Sequence, residues 1–239
     1  MSTLRLLTNL LYPPACSLCQ TRLRVSQHVL CETCREAMPA SGPPVCHRCG
    51  VPIAGAFDAR MECAACRKRP TAFEMARAPW RYDGLARDAI RQFKYHRRWR
   101  LGRWLAEEMT TLARASLPLE DVDVVLPVPL HWLKARLRGY NPAGQLADAV
   151  ARAVDKPYRP RALRRTRWTT TQTRLQGRQR LRNVRGAFAA SPRHVRHRTI
   201  LLVDDVLTSG ATVAACATAL RRAGARRVFV LTAARASHA

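Results

Sequence analysis

Four Cys-x-x-Cys pairs constrain this 239-residue chain more than any other feature, because they contain eight of its nine cysteines. Two residues between cysteines let both thiolates bind one metal ion from a tight turn, and two such pairs complete a tetrahedral four-cysteine zinc site. The spacing therefore predicts two structural zinc ions, with no open coordination position for catalysis. The pairs are separated by 11, 11 and 13 residues, and they are Cys16/Cys19, Cys31/Cys34, Cys46/Cys49 and Cys63/Cys66.

The spacing leaves the order of pairing open. The simplest arrangement joins the first pair to the second and the third to the fourth, but an interleaved cross-brace has the same intervals. A disulfide framework would need an oxidising compartment, for which the sequence has no signal, and an iron–sulfur cluster is the residual alternative. We therefore favour zinc. The ninth cysteine, Cys216, lies in an apolar stretch and is predicted to be a core residue.

A change of composition near residue 77 predicts two domains, a zinc module over 1–77 and a second domain over 78–239. After residue 80, apolar strands alternate with amphipathic helices, which predicts an α/β domain whose parallel sheet is flanked by helices. The expected strands are 122–128, 199–203 and 227–232. The expected helices are 83–95, 101–115, one with Asn141 as N-cap and Pro142 at its first position, and 212–223 closed by Gly224.

The charge is strongly basic, with 42 Lys and Arg against 16 Asp and Glu and a net charge of +26. Residues 78–239 contribute +21 of it, and 159–198 holds 13 arginines and no acid. Such a balance indicates polyanionic partners, and we expect single-stranded DNA to bind there. No apolar run approaches the roughly 20 residues that cross a bilayer, so a cytoplasmic protein without membrane insertion is predicted. The candidate DNA-contacting residues are Arg164, Arg165, Arg167 and Trp168.

Two adjacent acids follow the apolar run 199–203, and a turn rich in hydroxyls precedes the next helix. The helix N-terminus and the turn's N–H groups would receive a phosphate, and Asp204 and Asp205 would accept hydrogen bonds from sugar hydroxyls. Simple pairing with arginines is the alternative, since 156–239 contains 19 basic residues and only these two acids. The turn is neither a P-loop nor a dinucleotide fingerprint. Its residues are Thr208, Ser209, Gly210, Ala211 and Thr212.

At these residues the chain resembles the type I phosphoribosyltransferases, whose signature for 5-phosphoribosyl-1-pyrophosphate (PRPP) is an apolar strand, two acids and a Thr-x-Gly-x-Thr loop. More closely, it resembles the ComF family of competence proteins and their GntX-type relatives. Pro142 departs from the family pattern, which usually has Gln there. The matching segments are Phe93-Lys94-Tyr95, 126–131, Arg138-Gly139-Tyr140-Asn141, 170–184 and the signature itself.

The resemblance implies a PRPP site with Mg²⁺, in which Asp204 and Asp205 are the catalytic residues and 208–212 binds phosphate. It also implies a hood over 170–183 and a pyrophosphate-facing loop whose candidates are His131, Lys134, Arg136 and Arg138. The implied role is the uptake and processing of transforming DNA, with a helicase or a recombination mediator as partner. The alternative is an active phosphoribosyltransferase that transfers phosphoribose to an acceptor, although no sequence feature defines an acceptor pocket.

Overall fold

The computed structural model describes residues 14–24, 29–55, 60–96, 98–130, 136, 139–167 and 184–236. Two short helices lie in the cysteine-rich region, and most of the remaining elements build one parallel sheet with its covering helices, beside a small antiparallel strand pair. The helices are α1 (Glu32–Glu36), α2 (Ala64–Lys68), α3 (Gly84–His96), α4 (Trp99–Ser116), α5 (Pro142–Ala153), α6 (Pro192–Val195) and α7 (Ala211–Arg222). The strands are β1 (Met75–Arg77), β2 (Trp80–Arg81), β3 (Val124–Pro127), β4 (Leu163–Arg165), β5 (Phe188–Ala190), β6 (Thr199–Leu207) and β7 (Arg227–Arg235).

The main sheet has the order β1-β7-β6-β3, and all of its neighbours are parallel. β2 also pairs with β7, beyond β1, so the two short strands together form one interrupted edge. β4 and β5 form a separate antiparallel pair. The predicted parallel sheet flanked by helices is therefore confirmed, and β6 is an inner strand with its carboxyl end bordered by β3 and β7.

Alternate residues of β6 enter two different cores, because successive side chains of a strand point to opposite faces. Leu201 and Val203 pack with the helices α3, α4 and α5, whereas Ile200 and Leu202 pack with α7. Cys16, Cys31 and Cys34 lie on the α4 side, and Cys46, Cys49 and Cys66 lie on the α7 side. Both faces of the sheet are thus covered, which explains why the strand sequences are almost continuously apolar.

Two strands extend further than the sequence predicts. β6 continues through both acids to Leu207, and β7 continues to Arg235. Both strands extend this far because they remain paired with each other up to Leu207 and Arg235. The expected strand 122–128 is shorter, at Val124–Pro127, and the four expected helices agree with α3, α4, α5 and α7 to within two residues. Short strands such as β1, β2, β4 and β5 were not expected, since three residues carry too little pattern.

The predicted boundary at residue 77 falls at the end of β1, which pairs with β7. The cysteine-rich region therefore supplies a strand to the sheet of the second region. The boundary stays a prediction, but the two regions share a core. No helix within the described ranges is long and apolar enough to cross a membrane.

Candidate functional site

Eight cysteines form two clusters, each within a radius that one metal ion can bridge. In each cluster the ligand atoms all lie within 4.8 Å of one another, and the grouping is sequential along the chain. The first cluster joins Cys16, Cys19, Cys31 and Cys34, and the second joins Cys46, Cys49, Cys63 and Cys66. Four thiolates at such distances fit tetrahedral structural zinc, and the sequential grouping excludes the interleaved alternative.

Hydrogen bonds already prepare the second cluster to lose protons. The N–H groups of Cys49 and Cys63 donate to Cys46 Sγ, at 3.4 and 3.2 Å. A hydrogen bond from the Cys49 thiol lowers the pKa of Cys46 to about 4, and the same contact raises the pKa of Cys49. One thiolate is therefore available at neutral pH, and a divalent cation would displace the remaining protons. Cys216 is fully buried in α7, as its apolar surroundings predict.

The two acids lie where β6 outruns β3. β3 ends at Pro127, which pairs with Val203, so Asp204 and Asp205 project past the carboxyl end of the neighbouring strand. In parallel sheets this edge is where ligands bind, because the loops and helix N-termini meet there. Both acids are partly buried, unlike the fully buried residues just before them.

Lys94, at the end of α3, neutralises one of the acids. Its Nζ lies 2.8 Å from Asp205 Oδ1, and the side chains of the two residues are only 18% and 15% exposed. Burial would lower the pKa of Lys94, but the Asp205 carboxylate outweighs it and the net direction is upward, so the ammonium stays charged. Asp205 thus pairs with a lysine, and no arginine among the described residues forms a salt bridge with either acid.

Asp204 has the less favourable position of the two. Its Oδ1 accepts the Asp205 N–H at 2.9 Å, but burial and the neighbouring Asp205 charge raise the pKa of Asp204 to about 8. A carboxyl group that is partly neutral near pH 7 is poised to gain from hydroxyl donors or a cation, which would favour its ionised form.

The turn after β6 has the backbone that a phosphate-binding loop needs. Gly210 has φ +76°, in the left-handed region, and α7 begins at the next residue. A Cβ at Gly210 would meet nothing closer than Leu207 Cδ1 at 3.9 Å, so the glycine is required by its backbone angle and not by crowding. Ser209 Oγ accepts the Ala211 N–H at 3.5 Å, which aligns the hydroxyl with the first turn of α7.

Tyr140 holds the end of α3, and hence Lys94, in place. Its hydroxyl donates to the carbonyl oxygens of Phe93 and Lys94, and its ring makes an edge contact with Trp99 at 4.9 Å. Phe93 is fully buried below. The segment Phe93-Lys94-Tyr95 matches the family pattern only by resemblance, and that resemblance does not predict a site role for Lys94. Its rarity was the one available signal, since the chain has four lysines among 42 basic residues.

Several predicted site residues lie outside the described residues. These are His131, Lys134, Arg138 and Trp168, together with the expected hood over 170–183. Their assignments stay predictions. Arg136 is described and is exposed.

The predicted DNA-contacting arginines belong to the β4–β5 pair and its surroundings. Arg164 and Arg167 are exposed, whereas Arg165 is half-buried with its guanidinium 5.5 Å from the centre of the Phe188 ring. Arg161, Arg164 and Arg165 line a groove of about 780 Å³. Apolar and polar side chains also line the groove beside these arginines, among them those of Pro127, Leu163 and Tyr158.

Comparison with known proteins agrees with both regions. A family model described as a double zinc ribbon domain matches residues 7–67. The chain is 30% identical over 221 residues to DNA utilization protein YhgH of Escherichia coli K12, covering 91% of this chain and 95% of that protein. It is 28% identical over 226 residues to competence protein F of Haemophilus influenzae Rd, covering 92% and 96%. The chain belongs to the ComF family.

One solved structure similar to this ComF-family chain is glutamine phosphoribosylpyrophosphate amidotransferase from B. subtilis. The identity is 26%, the TM-score is 0.38, and the match covers 54% of this chain and 26% of that one. The sheet and the acid pair are observed in this chain itself and do not depend on that similarity. In this ComF-family member, the edge of the sheet brings together a carboxylate pair, a buried lysine, a glycine turn and a helix N-terminus.

Proposed function

We propose that this ComF-family protein acts in the uptake or processing of transforming DNA, with a PRPP-type ligand site at the end of β6 and a single-stranded DNA surface beside β4. The names of its relatives, a competence protein and DNA utilization proteins, support the biological role. The observation that carries the ligand site is that one strand delivers Asp204 and Asp205 directly ahead of a left-handed glycine and the start of α7.

Different residues of the site suit different parts of the ligand. The first-turn N–H groups of α7 and the hydroxyls of 208–212 suit a 5-phosphate, because they combine a helix N-terminus with hydroxyl side chains beside its first turn. Asp204 and Asp205 lie on β6, separated from the turn by Val206 and Leu207, and they suit the ribose hydroxyls. Carboxylates are also the ligands that Mg²⁺ prefers, and Mg²⁺ would neutralise the pyrophosphate.

The Lys94–Asp205 ion pair reduces the negative charge of the site. The lysine offsets one carboxylate, so the site is not doubly anionic when an anionic sugar phosphate approaches. If turnover occurs, a positive oxocarbenium-like centre would develop at the ribose, and the nearby carboxylates would stabilise it. We propose that this site binds the ligand, and the release of pyrophosphate tests whether phosphoribose is also transferred.

Thermal shift with PRPP and Mg²⁺ tests the ligand site, since a ligand that binds only the native state raises its stability by mass action. The wild-type protein should gain several degrees at saturating ligand, and the double variant Asp204→Asn/Asp205→Asn should gain nothing. Asp123→Asn is the matched control, because Asp123 accepts the Thr199 N–H at the opposite end of β6. Equal ligand shifts in the wild type and the double variant would refute the site.

A glycine pair provides a second comparison. Gly210→Val should abolish the PRPP shift because valine resists a φ of +76° and distorts the loop. Gly186→Val, at φ +69° in the turn before β5, carries the same strain away from the loop and should keep the ligand shift. Release of pyrophosphate from PRPP with DNA, nucleobases or amines as acceptors would reveal a transferase.

The DNA surface is proposed from charge and shape together. The groove beside β4 combines three arginines with apolar and aromatic lining residues, and such a combination suits the phosphates and the bases of a single strand. Arg167 extends the positive surface, and its guanidinium donates to Arg185 O at 2.9 Å. Backbone contacts of this kind bind single strands with little sequence preference.

Fluorescence anisotropy of a labelled oligonucleotide across a salt series tests the surface. Counterion release makes the logarithm of the binding constant fall with the logarithm of salt concentration, with a slope of about −0.7 per phosphate neutralised. Reversing the charge of Arg161, Arg164 and Arg167 should therefore reduce the magnitude of this slope by roughly 2. Arg165 is left intact because its contact with Phe188 supports β5. Reversing the exposed Arg87, Arg91 and Arg103 makes the same change in net charge on α3 and α4. Equal effects of the two triple variants would contradict a defined surface.

A further inference from the structure

Arg235, the last residue of β7, joins the second cysteine cluster to the loop after β6. Its side chain is 2% exposed. Nη1 donates to the carbonyl oxygens of Leu207, at 3.0 Å, and of Thr208. Nε donates to Cys49 O at 3.1 Å, and Nη2 lies 3.8 Å from Cys49 Sγ. One guanidinium therefore touches a cysteine of the second cluster and the first residue of the phosphate-type loop.

The chemistry of the guanidinium suits this bridging position. Arginine presents five N–H donors in a rigid planar fork, so fixing one edge of the group fixes the other. A zinc ion bound by four thiolates carries a net charge of about −2, which a neighbouring buried cation partly neutralises. The side chain is thus held from the cluster side by charge and by Cys49 O. On the loop side it satisfies two carbonyls where β6 ends.

The cluster itself is anchored firmly to the sheet, so movement in it would reach Arg235. A Cβ at Gly50 would lie 2.7 Å from Ala76 O, and the Ala76 N–H donates to Arg48 O at 2.7 Å. Arg77 also donates to the cluster's turn, from Nη1 to His47 O at 2.8 Å. Arg77 and Arg235 therefore contact the same cysteine turn, but the side-chain hydrogen bonds of Arg77 to described residues stay within that turn and β1.

We propose that Arg235 is a positioning residue that couples the second zinc site to the phosphate-type loop, so that the loop is ordered for a phosphoribosyl ligand only while Cys46, Cys49, Cys63 and Cys66 hold zinc. The ligand part of this coupling rests on the proposed function. The ordering of the loop does not. By linkage, a ligand that needs the ordered loop raises the affinity for this zinc by the same factor by which zinc raises the affinity for the ligand.

Hydrogen exchange of the peptide covering 204–213 tests the coupling without any ligand. In the zinc-loaded wild type the loop amides should be protected, and removing zinc should accelerate their exchange at least tenfold. Arg235→Met should exchange fast even when loaded with zinc, and zinc removal should change it no further. Arg235→Lys, which keeps the charge but loses the fork, should be intermediate and serves if the methionine variant does not fold.

Two controls isolate the contact. Arg77→Met removes a buried donor to the same turn and should leave loop exchange within twofold of the wild type. Cys34→Ser should lose the first zinc only and should also leave the loop protected. Unchanged exchange in zinc-free wild type, wild-type protection in Arg235→Met, or deprotection in Cys34→Ser would each overturn the proposal.

The PRPP arm separates this proposal from the proposed function. Arg235→Met should weaken PRPP binding at least tenfold while retaining its zinc, and PRPP should raise the zinc affinity measured by equilibrium competition with a chromophoric chelator in the wild type but not in this variant. If the wild type binds no PRPP, the proposed function fails, and the exchange comparison still decides the coupling. If PRPP binds both proteins equally, the coupling fails and the proposed function survives.

Discussion

Removing Lys94 should destabilise the protein because it leaves a buried carboxylate without its counter-charge. At 2.8 Å and an effective dielectric constant of about 20, the attraction between Lys94 and Asp205 is about 6 kcal/mol. Desolvation of both groups offsets much of it, so the attraction is not the net contribution. Breaking a fully buried pair costs about 3–5 kcal/mol. Since these side chains are 15–18% exposed, we expect Lys94→Met to cost about 2–4 kcal/mol.

Thermal and urea unfolding at pH 7 measure this cost. A loss of about 2–4 kcal/mol corresponds to a Tm lower by roughly 4–16 °C for a chain of this size. The double variant Lys94→Met/Asp205→Asn should recover at least half of the loss, because it removes the orphaned charge as well. The exposed pair of Arg152 and Asp148 provides the control, and Arg152→Met should cost under about 1 kcal/mol.

Two results would refute this reasoning. One is a Lys94→Met protein within about 1 kcal/mol of the wild type, which would mean that water already screens the pair. The other is strict additivity of the two substitutions in the double variant. Additivity would show that Lys94 and Asp205 do not stabilise each other, whatever the cost of each change alone.

Three further predictions concern the acid pair, the metal and the packing below Lys94. Asp204→Asn should be more stable than the wild type, and its advantage should grow between pH 5 and pH 8 by at most about 1.4 kcal/mol per pH unit. The pKa of Asp204 is raised to about 8 in the folded protein. The wild type therefore loses stability as the pH rises above the pKa of this carboxyl group in the unfolded chain, and the loss levels off above pH 8. A pH-independent difference in Tm would contradict this. Elemental analysis of protein purified in reducing buffer should give about two zinc per chain, and iron or a value near zero would refute zinc. Gly102→Ala should cost about 1–3 kcal/mol in urea unfolding because its Cβ would lie 2.4 Å from Phe93 Cε2, and a neutral effect would show that Phe93 can move aside.

The sequence by itself determined the features that depend on local spacing. The eight cysteines predict two four-ligand clusters because a two-residue interval places two thiols on one turn, and that property needs no distant contact. Likewise, the apolar run followed by two acids and a glycine predicts a strand, a turn and a helix in that order. Helix bounds agree to within two residues because amphipathic periodicity extends over several turns.

Only the tertiary structure decided which residues from distant parts of the chain meet. Lys94 reaches Asp205 across more than a hundred residues, and Arg235 meets Cys49 from the far end of the sequence. A side chain's burial and partner depend on which strands become neighbours, and sheet order is not encoded in any local pattern. For the same reason, the sequence does not predict β1 within the cysteine-rich region. Its three residues form a strand only because they pair with β7.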